Sequence, residues 1–563
     1  MESSRSPEKY WKRYEKGKDY IRKKNLITRT NRNWNFYSGN QWEGIQSGGE
    51  QLPFLNFIKP TIKHKVSTVS QNNMVANYSD AEGRDINAEI YEKLNARFAA
   101  DWEKSNMDME LWSTMKDAAV TGDGIQFYGT ANVADMQRLS CTSMLYGDES
   151  NNKIQTQPYI IIEQRLPIDV VKKQAKENGL SEEEIALIRP DNETQGLIGN
   201  QDELDGDTAD SESKVTCIIH MEKKDGIVNV TKCTKNVVYE EEHPIATTYS
   251  DGRNGRGLTL YPVVKVSWED FPNDARGLSE VEQLIPNQLE INKTLARRSQ
   301  IIKLTAYPRI AYDSNAIMNP DALNEVGRPI EVSSGSAQSV GQAIAYLNPA
   351  QSNSDPKNYA DDLLSMSQEL SGSGETAMGN INPNRVAASA IIAIRDQAAL
   401  PLNEQVAKMK TFVEDLAKLW VELWAVYNPE GFDVVVKDTN PETGEEIETL
   451  KRVTKEELDE MKPDIRIDTS QDNPWTKEAE QNWLDGVLDK QYITFEEYIN
   501  VSPEHGIVPR NKMLAIIEKR KAEQERLAAQ QAEMQEELTE EDIANNAMMQ
   551  WETEDGYNEQ EMQ

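Results

Sequence analysis

The sequence is short of the residues that usually announce chemistry. Three cysteines occur in 563 residues, Cys141, Cys217 and Cys233, with no CxxC pair. So sparse and odd a set excludes a disulfide scaffold or a zinc module and fits a reducing compartment. The Asn-x-Ser/Thr sequons at Asn77, Asn192 and Asn292 are then chance matches. Four histidines are present, His64, His220, His243 and His505, and none is followed by a second ligand at i+3 or i+4. There is no GxxxxGK[ST] loop and hence no self-contained ATP motor. No GxGxxG follows a strand, and no GxSxG elbow occurs. The glycines at 252, 255 and 257 open no helix. No apolar run approaches the ~18 residues of a membrane span, and the charged N-terminus has no signal-peptide core.

Positive charge is also scarce. Lys and Arg total 61 against 95 Asp and Glu, for a formal net charge of −34. A protein that wraps DNA over its whole surface needs a basic footprint, so that class is excluded. Passage of DNA nearby is not, because like charge disfavours sticking. The imbalance is uneven. Residues 1–70 carry 14 bases and 6 acids, whereas residues 521–563 carry 2 bases and 13 acids. The stretch 191–213 has eight acids and no base, and reads as a solvated loop. Acidic runs such as Glu182-Glu183-Glu184, Asp361-Asp362 and Glu540-Glu541-Asp542 suit helix starts, where they complement the dipole. They give no metal site, and no cofactor is expected.

Length suggests roughly three or four units of ~150 residues. A basic helix is expected over 8–38. Its Lys9, Lys12, Arg13, Lys16, Lys18, Arg22, Lys23 and Lys24 interleave with Tyr10, Trp11, Tyr14 and Tyr20. Two readings compete: contact with nucleic acid or an acidic partner, and a peripheral amphipathic helix with its aromatics packed inward. The second is favoured. Further helices are expected over 56–76 and 85–120, the latter ended by Gly122 and Gly124. Strands are expected at 158–163 and across 215–250, with a hairpin around Asp225-Gly226, and at Tyr261–Trp268.

Ser279 with Glu282 reads as a capping box that opens a helix to about 304, with a kink at Pro286. Residues 305–350 turn to Pro, Gly, Ser and Asn with short β-like pieces at 309–312, 329–332 and 343–347. A helix over 356–370 follows. Beyond it lies a polar loop rich in Gly and Asn with a single charge at Glu375, then helical periodicity over 385–427. Forty-three helical residues would span ~65 Å, and Pro401 is placed to kink them. A neutral, glycine-rich loop before so long a helix suits sliding against a polyanion without gripping it; an ordinary linker is the competing reading. Within 431–470 two strands flank a turn at Asn440-Pro441-Glu442-Thr443-Gly444, followed by a helix at 454–461 and a strand near 464–468, and short helices at 476–489, 494–500 and 509–535 follow.

The order of elements resembles tailed-bacteriophage portal proteins. The residues that carry the resemblance are Trp34-Asn35-Phe36-Tyr37-Ser38-Gly39-x-Gln41-Trp42, Pro53-x-x-Asn56-x-Ile58, Pro262-Val263-Val264, and Gly277-Leu278-Ser279-Glu280-Val281-Glu282-x-Leu284-x-Pro286-x-Gln288-x-x-x-Asn292. The likeness runs in order over about 30–520, and none of these motifs is catalytic. It implies an α+β portal-like subunit of a ring, usually of twelve copies. The implied parts are an N-terminal wing at 1–270, a first stem helix at 271–304, a β-containing clip at 305–355, and a second stem helix at 356–370. A tunnel loop at 371–385 follows, then the long wing helix and remaining wing at 386–472, a helical crown at 473–535 and an acidic tail at 536–563.

The resemblance further implies a component of the virion, at the portal vertex of the capsid, assembled in the host cytoplasm. It implies double-stranded DNA in transit, packaged by a large terminase and later ejected. Other implied partners are a head-completion adaptor or tail protein and the major capsid and scaffolding proteins, with no membrane. Met378, Asn380, Asn382, Asn384 and Arg385 are the candidates for the channel constriction, and Lys293, Arg297, Arg298 and Lys303 for the stem. The competing expectation is a non-enzymatic helical scaffolding or adaptor protein without a DNA channel, which leaves the β-rich insertion between two helices unexplained. A nuclease or peptidase with an unrecognised site is a third and weaker reading.

Overall fold

The computed structural model describes residues 6–43, 45, 52–70, 72–80, 88–130, 132–191, 214–247, 255–306, 309–325, 327–333, 340–347, 355–372, 400–439, 446–460 and 463–471, with short pieces between 483 and 526. The chain divides into two compact units. One holds 1–433 and 452–470, the other 434–451 and 471–563.

The first unit opens with α1 (Glu8–Lys23), α2 (Leu26–Ser38) and α3 (Ile58–Val69), then strand β1 (Asn72–Asp80), α4 (Ala88–Lys104) and α5 (Met107–Thr121). Three expectations are corrected here. The helix expected over 8–38 breaks after Lys24, where Asn25 adopts a left-handed conformation at φ 52. The helix over 85–120 breaks in the same way at Asn106, φ 48. Asn tolerates this conformation better than most residues, and periodicity does not register a one-residue break. The expected helix over 56–76 stops at Val69, and 72–80 is a strand instead.

Strands β2 (Asp123–Phe127), β3 (Gln137–Leu139), β4 (Met144–Tyr146) and β5 (Tyr159–Pro167) follow, then α6 (Ile168–Glu177) and α7 (Glu182–Ala186). No helix was expected at 168–177. At α7 the acidic run does start a helix, with a complete capping box between Ser181 and Glu184. The acidic stretch at 192–213 lies outside the described residues. Strands β6 (Lys214–Lys224), β7 (Ile227–Cys233), β8 (Val238–Pro244) and β9 (Val263–Ser267) complete this part. The β6–β7 hairpin turns at Asp225 and Gly226 with φ 53 and 82, which matches the twist of its strands.

β4 to β8 form a five-stranded antiparallel sheet in sequence order, and β3-β2-β9 a smaller one. Successive side chains of a strand face opposite ways, and β6 shows the consequence. Ile218 faces α1, packing with Tyr10, Trp11, Tyr14 and Ile21. Ile219 and Met221 face the smaller sheet through Phe127, Tyr261 and Val263. Cys217 packs with Val171 and Ala175 of α6. The aromatics of the N-terminal helix therefore point inward, as the favoured reading held.

Next come α8 (Glu280–Ala306), which runs through Pro286, then β10 (Arg309–Tyr312), the short α9 (Val340–Ala343), β11 (Ile344–Leu347) and α10 (Asp355–Leu370). β10 and β11 pair antiparallel, Arg309 opposite Leu347. Ile317 bridges Val332, so two of the three expected β pieces form strands, while the piece expected at 329–332 is reduced to that single bridge and Ala343 ends α9 instead of opening β11. A small core of Ala316, Ile317 and Ala343 holds them together.

A 3₁₀ turn at Leu400–Leu402 surrounds Pro401 and leads into α11 (Asn403–Tyr427). Its 25 residues span about 38 Å; the part of the expected long helix at 386–399 lies outside the described residues. Trp420 and Trp424 of α11 are buried with Phe98, and the Trp424 indole donates to Asp101 at 2.9 Å. Strands β12 (Phe432–Thr439) and β13 (Glu446–Val453) pair, α12 (Lys455–Glu460) follows, and β14 (Pro463–Gln471) pairs with β1. In the second unit, Leu484, Tyr498 and Ile499 form a small core with Met513 and Ile517.

Candidate functional site: the helix pair and its root

Helix α8 is fixed to the body of the first unit at two levels. The first lies in the segment 274–282. Gly122 and Gly277 pass so closely that a Cβ on either would strike the other's carbonyl oxygen, and Gly122 sits at φ +104. Only glycine meets both demands. One oxygen of the buried Asp123 accepts the Gly277 amide at 3.0 Å and the Ser267 hydroxyl at 2.8 Å, with Lys265 at 3.4 Å. The Arg276 guanidinium is 6% exposed. It donates to the carbonyls of Cys141 and Met144 at 2.5 and 3.1 Å, and its Nε lies 3.5 Å from Glu149. Burial raises the Glu149 carboxyl, and Arg276 opposes that rise.

Ser279 donates to the Val120 carbonyl at 2.6 Å and accepts the Glu282 amide at 3.4 Å, so it caps the helix as expected. The Glu282 carboxylate, expected to reach back to the cap, is taken by a bidentate Arg29 at 3.0 and 2.6 Å. Glu280 accepts from Lys65 at 2.6 Å and from the Trp268 indole at 3.0 Å.

The second level is a buried amide ladder. Gln288 and Asn292, one turn apart, are both fully buried. Gln288 accepts the Phe57 amide at 3.1 Å and donates to the Leu55 carbonyl at 2.7 Å and to Asn292 at 2.9 Å. Asn292 donates to Gln41 at 2.6 Å, and Gln41 donates to the Phe36 carbonyl at 3.0 Å. Asn56 donates to the Tyr37 carbonyl at 3.1 Å, and Trp42 to that of Pro53 at 3.2 Å. The motif residues at 34–42, 53–58 and 277–292 thus meet in one place. Their work is structural: they pin a helix to a loop whose backbone would otherwise be buried without partners.

Beyond Thr294 the surroundings thin out. Lys293, Arg297 and Lys303 are exposed and Arg298 is half-buried. Acids occupy the first half of α8 at 280, 282 and 290, and bases the second half, which also complements the helix dipole. At about 100° per residue, Lys293 and Arg297 lie about 40° apart and share a face. Arg298 and Lys303 turn away from it, so the four expected stem residues do not form one stripe. Arg297 reaches Glu290 only at 4.0 Å. α10 packs beside α8, and the Asn287 amide donates to the buried Ser367 hydroxyl at 3.0 Å. Ile302, Met366 and Leu370 are exposed on this pair. Met378, Asn380, Asn382, Asn384 and Arg385 all lie outside the described residues.

Sequence reasoning missed Arg276, Asp123 and the Arg29–Glu282 pair. Their partners are separated by more than a hundred residues, and no local pattern signals them. Among the described residues no group of three or more His, Cys, Asp or Glu is placed to hold a metal ion. No described helix is long and apolar enough to cross a membrane. The buried His220 is held neutral, its pKa lowered to about 4 by burial and by Arg13.

Comparison with known proteins gives the family. The family described as Phage P22-like portal protein matches residues 177–561, more than two thirds of the chain. The chain belongs to the P22-like portal protein family. As a portal-family chain it is a virion component, and the family is non-enzymatic. No curated protein matches it. Among solved structures it is similar to a chain of the virion of a native gene transfer agent particle, at 10% identity and a TM-score of 0.33, over 78% of this chain and 86% of that one.

Proposed function

We propose that this chain forms a ring at one vertex of a phage capsid, and that double-stranded DNA passes through the ring when a separate terminase packages it and again at ejection. The observation that carries this is the pair α8 and α10 enclosing the small β module of β10 and β11, in a chain of the portal family. In this reading 1–270 is mostly wing, 271–304 and 356–370 are the stem, and 305–355 is the clip that meets the motor and later the adaptors. Residues 371–385 form the tunnel loop and 473–535 the crown.

The wall does no chemistry. An acidic chain suits that role, because each phosphate it bound would have to be released again before the polymer could advance. Lys293 and Arg297, sharing a face, are the stem residues best placed to guide the duplex. Met378, Asn380, Asn382, Asn384 and Arg385 would meet it at the constriction. Deleting 375–384 should leave ring assembly intact and block packaging in a terminase-driven assay. Normal packaging by that deletion would refute the loop's role, and a chain that never assembles would refute the ring.

A further inference from the structure

The N-terminal helix keeps one surface that the fold does not use. Its inward arc carries Tyr10, Trp11, Tyr14, Lys18 and Ile21, all buried. On the opposite side, Lys9, Lys12, Lys16 and Lys23 are exposed. At about 100° per residue these four fall within an arc of about 60°, and the line from Lys9 to Lys23 is ~21 Å long. Among the described residues no carboxylate lies within ion-pair distance of any of them. The helix's other bases behave differently. Lys18 is paired with Glu163 at 2.7 Å, Arg13 with Glu222 at 2.9 Å, and Arg22 with Asp19 at 2.8 Å. The fold therefore pairs the bases around the stripe and leaves the four lysines outside ion-pair distance, with the exposed carboxylates Glu8, Glu15 and Asp19 along one edge and Asp19 held by Arg22.

We infer that this lysine stripe is a sequence-independent contact for the phosphate backbone of double-stranded DNA, on a surface separate from the proposed channel. Two features favour a duplex over an acidic protein. A protein partner is anchored by exposed aromatic or aliphatic side chains that fill pockets; here Tyr10, Trp11 and Tyr14 are spent on the core, leaving ammonium groups and methylene stems. The cations are also all lysines, compact point charges without the bidentate fork by which arginine fixes a carboxylate. Flexible point charges in a row suit a regular array of phosphates without selecting a sequence.

The test is fluorescence anisotropy of a labelled 30-bp duplex with the full-length chain over a range of salt. Neutralising four phosphates gives a log–log salt slope of about −3.6, a loss of roughly 50-fold between 50 and 150 mM salt. Replacing all four lysines (K9Q, K12Q, K16Q and K23Q together) should remove most of that slope, and K12Q with K16Q about half. The four Lys→Arg changes should keep it. The positions are exposed, so the melting temperature should not move. Lys173→Gln, which removes an exposed lysine of α6 outside both proposed DNA surfaces, should leave this slope unchanged. An unaltered slope in the quadruple variant overturns the inference, as does failure of the parent chain to bind duplex at 50 mM salt. Lysine-dependent binding of polyglutamate in preference to duplex overturns it as well.

Discussion

The body of the first unit and the free half of α8 treat the same residue types in opposite ways. In the body, Arg276, Arg13, Lys18 and Lys65 each have a carboxylate within 3.5 Å. On α8 beyond Thr294 the bases are exposed or half-buried, and Arg297 has only a carboxylate at 4.0 Å. A buried charge must be paired to be tolerated at all, whereas an exposed one adds little to stability. Charges in the body are therefore explained by folding. The exposed Arg297, 4.0 Å from Glu290, is not explained in that way.

The contrast can be broken at graded depth. Arg276→Met should cost about 3–5 kcal/mol, because it strands Glu149 and two buried carbonyls; urea denaturation measures it, and a loss below ~1 kcal/mol would mean the site is wetter than it looks. His220 comes next, sandwiched between Tyr10 and Tyr159. Its folded pKa, about 4, lies below the ordinary 6.5. The unfolded chain therefore takes up the proton first as pH falls. The stability held by the neutral ring is complete above pH 6.5 and is lost between 6.5 and 4. The stability gap between the parent and His220→Gln should shrink by about 3 kcal/mol from pH 7 to pH 4, and a gap that stays constant would contradict the assignment. Gln288→Ala should cost about 2 kcal/mol by orphaning the Phe57 amide and Leu55 carbonyl. Arg297→Gln should change stability by less than about 0.5 kcal/mol while slowing packaging. If it destabilises the chain as much as Gln288→Ala, the two halves of α8 are not different in kind.

Much of this was legible in sequence where the signal is local. The Asp225-Gly226 hairpin, the strand within Tyr261–Trp268, the cap at Ser279 and the two strands β10 and β11 between α8 and α10 all rest on neighbours in the chain. What failed was of two sorts. Single Asn residues in left-handed conformations, Asn25 and Asn106, cut helices that periodicity joined. Strand β1 follows α3 after two residues, and its Val75 and Ala76 continue an apolar pattern that also suits a helix. At the candidate site, Lys293, Arg297 and the β module were visible as residues. The amide ladder was visible only as motifs, because its meaning is the meeting of Gln41, Asn56, Gln288 and Asn292 across more than two hundred positions.

The most direct test of the account places a probe on the shared face of the free helix. Cys141, Cys217 and Cys233 are buried, and burial pushes the thiols of Cys217 and Cys233 up to about 12. A maleimide photo-cross-linker should therefore label Arg297→Cys selectively. In particles stalled during packaging, irradiation should join that position to DNA, and Lys293→Cys should do the same. Cross-links from position 297 to protein alone, in particles that have DNA half-packaged, would contradict a channel lined by this face.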